Sequence, residues 1–173
     1  TDDENPVDPL SIVRSREYLQ ALVLAALIAI PVAIVVYGFL VLVDWLQEAL
    51  FDDLPGGLGF DTTPVWWPVP LLALSGLLVA WSIQSLPGNS GHSPSGGFQQ
   101  GGPTPPIELP GVFLAALATL SLGAVLGPEA PLIAIGGGLA ALAIRTVKRD
   151  APPGAVAIIA TAGSFAAIST LLG

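Results

Sequence analysis

Four stretches of this 173-residue chain contain no charged side chain: residues 18–43, 62–107, 109–128 and 151–173. A helix needs roughly 20 apolar residues to cross the hydrocarbon core of a bilayer, and three of these gaps exceed that length. With no water at that depth, only helices and closed barrels satisfy their own backbone groups. The gaps are aliphatic throughout and lack the two-residue alternation of a barrel strand. Only 10% of residues are charged, against about 25% in a soluble domain. The fold class read from this pattern is all-α: a polytopic helical membrane protein with broken helices. Helices are expected over residues 19–50, 66–83, 110–123, 128–147 and 152–173, behind a polar arm at 1–16, so that 17–173 forms one membrane domain.

The charges that remain are unevenly placed. The net charge of −8 comes from the arm "TDDENPVDP" and from a zone holding Asp44, Glu48, Asp52, Asp53 and Asp61. Both zones read as solvated loop surface, since anionic walls do not favour anions. The five bases form two clusters, Arg14 with Arg16 ahead of the first span, and Arg145, Lys148 and Arg149 near the end of the fourth helix. The positive-inside rule then places the N-terminus in the cytoplasm, in a multi-pass protein of a prokaryotic plasma (inner) membrane. Trp66 and Trp67 stand at the start of the second span as interface anchors, Glu108 at the interfacial end of the third helix. Cysteine is absent, which removes disulfides and thiolate sites. One histidine and scattered acids do not make a metal site, and no basic patch supports nucleic-acid binding. The uncapped "AAISTLLG" at the end sets the expectation that the chain is part of a longer protein.

Two segments interrupt the apolar pattern in a way that calls for chemistry. In "GAVLGPEAPLIAIGGG", residues 123–138, Glu129 is the sole carboxylate between Glu108 and Asp150. Proline is favoured in the first turn of a helix, where its missing N–H has no partner to lose. "GPEAP" therefore reads as a helix start with Glu129 in the first turn, where free N–H groups and the helix dipole stabilise a carboxylate. Intramembrane acids default to function, and half-helix N-termini at membrane depth are a recurrent way to hold anions. The second segment, "SLPGNSGHSPSGGFQQGGPTPP", is too rich in Gly and Pro to be a regular span. Within this loop, 86–106, Ser90 is flanked by residues that allow close backbone approach.

The segment "GPEAPLIAIGGGLA" resembles the G-K/R-E-G-P-x-x-x-x-G signature of the CLC family of chloride channels and chloride–proton antiporters. "GNSGHSP" is similar to that family's G-S-G-I-P segment, which makes 86–106 a filter-like loop. "LPGVFLAALATLSLGAVLG" and "ATAGSFAAISTLLG" resemble the helices on either side of the signature. Order and spacing agree over residues 19–173, the N-terminal part of the CLC transmembrane domain. The resemblance implies re-entrant helices, an inverted-repeat architecture and a homodimer in the lipid bilayer. It also implies one pathway per subunit for chloride or related anions, with proton coupling in the antiporters and no cofactor. The filter motifs map to Ser90, Gly91, His92 and Pro94, and to Gly127, Pro128, Glu129, Ala130 and Pro131. Chloride-binding positions would be Ser90, Gly91, Glu129 and Ala130. Ser90 would coordinate the central ion, and Glu129 would be the gating glutamate that competes with chloride and transfers protons. Pro128 replaces the basic residue of the signature and Ala130 its second glycine. His92 and Ser93 stand where the family has isoleucine. The family's second filter segment would lie beyond Gly173, so channel and antiporter are not distinguished.

Two other classes compete. Residues 88–91, "GNSG", match the G-x-S-G of rhomboid intramembrane proteases, in which the serine is the nucleophile. Such a serine needs a general base within hydrogen-bond reach, and His92, two residues on, is the only histidine. A non-transporting membrane assembly subunit or remnant is the third reading, because patterns such as "GAVLG" and "GGGLAALA" favour close helix packing whether or not ions pass. The expectation is a transporter, not an enzyme.

Overall fold

Proline marks where the helices begin. Pro68, Pro110 and Pro153 lie in first turns and Pro128 is the cap residue of its helix, positions at which the ring's fixed φ and absent N–H cost nothing. The computed structural model describes the backbone of residues 16–88, 104–125 and 127–173. The helices are α1, Arg16–Glu48; α2, Leu54–Gly57; α3, Pro68–Ser85; α4, Leu109–Ser121; α5, Glu129–Val147; and α6, Pro153–Leu172. A wide turn, Ala49–Asp53, links α1 to α2, and a tight turn, Pro106–Glu108, leads into α4. No strand occurs among the described residues. Pro31 lies inside α1 without breaking it. At 1.5 Å per residue, the 33 residues of α1 extend for about 50 Å, so α1 is tilted or projects beyond a core of about 30 Å.

Four helices are long and apolar enough to cross a membrane: residues 22–57, α3, α5 and α6. Many of their large apolar side chains face outward, with Ile34 67%, Leu77 69% and Phe165 68% exposed. In water such a surface would aggregate; in lipid it is the expected one.

The inside is built on α5 and α6, which pack antiparallel and make the most extensive helix contact. A Cβ added at Gly136 would lie 2.6 Å from both the Gly163 carbonyl oxygen and the Ala167 methyl, and one at Gly137 would lie 2.7 Å from Ser164 Oγ. The glycines thus let two backbones approach as ordinary side chains would not, the usual basis of helix association where lipid supplies no hydrophobic drive. Helix α1 lies across this pair. Val36 and Phe39 join Leu132, Ile135, Ala140, Ile159, Ala160 and Ala167 in one core, and the Phe39 and Phe113 rings meet edge to face at 4.9 Å. Helices α3 and α4 also run antiparallel, joined by hydroxyls. Ser75 Oγ–H donates to the Ala118 carbonyl at 3.0 Å, and Ser82 Oγ–H to that of Gly111 at 3.2 Å.

Trp67 is not the interface anchor expected from its place in the sequence. It is 8% exposed, donates its indole N–H to the Leu50 carbonyl at 2.9 Å, and packs with Leu71, Ala118 and Leu122. Trp66, 54% exposed, keeps the outward position.

Candidate functional site

The contacts establish depth. The first residues of α4, Leu109, Pro110 and Phe113, share a cleft with Val35, near the middle of α1, and with Ile135 and Leu139 of α5. At its other end α4 reaches the end of α1, where Gln47 Nε2–H donates to the Leu120 carbonyl at 2.8 Å. Helix α4 therefore runs alongside the second half of α1. From Val35, α1 continues for thirteen residues to Glu48, whereas α5 begins six residues before Ile135 and ten before Leu139, at Glu129. At 1.5 Å per residue the first distance is about 20 Å and the others about 9 and 15 Å. Helix α5 thus starts about 5–10 Å short of the level at which α1 ends.

The local sequence makes this start. Gly123, at φ 89°, turns the chain out of α4 against the Phe51 ring, and the chain doubles back to Pro128. Glu129 occupies the first turn, and its carboxylate folds over Gly127, so that a methyl group at Gly127 would collide with it. Pro128 and Pro131 have no N–H, and the Leu132 N–H donates to the Pro128 carbonyl at 3.0 Å. The first-turn donors left for an anion are the N–H groups of Glu129 and Ala130. Glu129 and Ala130 are exposed, and Pro128 and Pro131 half-buried. Among the described residues, the Glu129 carboxylate has no hydrogen-bond or ion-pair partner. The arrangement is a helix N-terminus with an exposed carboxylate in its first turn.

The first filter motif, Ser90, Gly91, His92 and Pro94, lies outside the described residues, as do the arm 1–15 and the bulk of the 86–106 loop. The flanks of that loop are placed. The Thr104 carbonyl oxygen comes near Gly138, in the middle of α5, and Gly88, at φ 88°, lies against the side chain of Glu108. Glu108, expected at a membrane boundary, directly precedes α4 and is half-buried.

Toward the end of α1, Asp44, Glu48 and Asp52 line a cleft of about 480 Å³ with Gln47, Phe51 and Gly123. Its charge would repel anions. No group of three or more potential metal ligands occurs among the described residues.

The fold defines an all-helical membrane protein with four helices long and apolar enough to span the bilayer. Over 137 residues the chain is 31% identical to a protein of Escherichia fergusonii named "Putative ion-transport protein YfeO". It is 32% identical to the same-named proteins of Escherichia coli O127:H6 and Shigella boydii serotype 4. Each match covers 79% of this chain and 33% of the relative, so the chain spans about a third of the length of the curated relatives it matches. No protein-family model matches the chain, and no solved structure does.

Proposed function

We propose that this chain is part of a transmembrane ion transporter that passes chloride or a similar small anion, with Glu129 as its protonatable gate. The observation that carries the reading is the start of α5 short of the end of α1, with Glu129 in its first turn and its carboxylate exposed and unpaired among the described residues. The positive end of a helix and its unpaired N–H groups attract an anion. When charged, the Glu129 carboxylate occupies that position itself; when protonated, or displaced by chloride, it leaves. Ser90 and Gly91 contribute the inner coordination, as the CLC resemblance implies, and the subunits pair as homodimers in a prokaryotic plasma membrane. The names of the relatives support ion transport in general. Chloride and the gate rest on the motif and on the geometry of α5.

The acidic cleft of Asp44, Glu48 and Asp52 favours a second reading, in which the transported ion is a cation. Flux into proteoliposomes separates the two. With the protein reconstituted whole, replacing external chloride by gluconate abolishes flux on the anion reading, and replacing sodium or potassium by N-methylglucamine does not. On the same reading Glu129→Gln retains chloride flux and loses its pH dependence. Flux that ends with the fold intact makes Glu129 a structural cap, and flux with unchanged pH dependence removes it from the gate.

A further inference from the structure

Three of the chain's five basic residues lie within five positions, Arg145 to Arg149, where α5 ends and α6 begins. Arg145 and Arg149 line a cleft of about 540 Å³, whose other wall is Ala151, Pro153, Val156 and Ala157. Among the described residues neither arginine has an ion-pair or hydrogen-bond partner, and the nearest acid in sequence is Asp150. The cleft lies at the ends of two helices long and apolar enough to cross a membrane, a position at which basic residues meet lipid headgroups. One turn before Arg145, on the same face of α5, Leu142 is 42% exposed and extends an apolar surface from the arginine side of the cleft.

We propose that this cleft binds an anionic phospholipid, its phosphate held by Arg145 and Arg149 and its acyl chain lying along Leu142. The guanidinium fork matches phosphate oxygens bidentately, and basic recesses between helix ends are where anionic headgroups dock. The apolar wall favours a lipid over free phosphate, which shares only the headgroup chemistry. A zwitterionic headgroup brings its own cation into a site that already holds two, and is disfavoured. The assignment does not depend on what the protein transports.

The test uses the intact protein, delipidated in neutral detergent, with bound lipid counted by native mass spectrometry. Phosphatidylglycerol is expected to be retained and phosphatidylcholine lost. R145Q/R149Q is expected to weaken phosphatidylglycerol binding roughly thirtyfold, since each surface base is worth about fivefold in anionic-lipid affinity, and R145K/R149K to keep most of it. If the double variant does not fold, R149Q, just beyond the helix end, is expected to weaken binding about fivefold. Equal retention of phosphatidylcholine, or phosphatidylglycerol binding that survives the glutamine substitutions, overturns the assignment. Displacement of the lipid by millimolar inorganic phosphate overturns the lipid part of it and leaves a site for soluble phosphate.

Discussion

Replacing Gly136 by alanine opposes two effects whose sizes can be compared. Alanine favours a helix over glycine by about 1 kcal/mol, so on propensity alone Gly136→Ala stabilises. The structure adds a clash. The new methyl would lie 2.6 Å from the Gly163 carbonyl oxygen and 2.6 Å from the Ala167 methyl, whereas carbon atoms settle at about 3.5–4.0 Å. The oxygen belongs to the backbone of α6 and cannot rotate away, so α5 and α6 must separate by about 1 Å along the strip where Ile135, Ala140, Ala160 and Ala167 are buried. Overpacking of that kind costs about 1–3 kcal/mol, which less the propensity gain leaves a net loss of up to about 2 kcal/mol, so the clash is expected to win. Gly38 is the control: it lies inside α1 with nothing within 4 Å of an added Cβ, so Gly38→Ala carries the propensity gain alone. Unfolding of both variants in mixed micelles, with wild type in parallel, measures the difference. The expected order of stability is Gly38→Ala at or above wild type and Gly136→Ala below it by up to about 2 kcal/mol. Gly136→Ala as stable as Gly38→Ala would refute the close approach of α5 to α6.

Ser75→Ala removes the hydroxyl that joins α3 to the Ala118 carbonyl; a cost of about 0.6 kcal/mol is expected by the same unfolding assay, the mean for interhelical hydrogen bonds in a membrane, and a loss above about 2 kcal/mol contradicts a single bond's worth. Ser90→Ala is expected to weaken discrimination among halides and nitrate about fivefold in proteoliposome flux, a neutral hydrogen bond being worth about 1 kcal/mol; unchanged selectivity takes Ser90 out of the pathway.

The four uncharged stretches by themselves pointed to an all-helical membrane chain, because only helices and closed barrels satisfy their backbone out of water and the stretches lack a barrel strand's alternation. Proline placed the helix starts with similar force, since its ring is tolerated at few other positions in a helix: Glu129 was legible as a first-turn acid, and Glu129–Val147 is a helix. How deep that first turn lies was not legible. Depth is a relation between helices, and it came from the cleft that brings Val35, Leu109 and Ile135 to one level. Trp67 looked like an anchor because amphipathic rings favour the interface, but its indole N–H found a partner inside, at Leu50. Nor does any local pattern reveal that Arg145 and Arg149 face the start of α6 across a cleft, because that needs two helices to meet through glycines eight and more residues away. Composition and periodicity act along the chain and can be read there, whereas the site is made by distances across it, which exist only once the helices have packed.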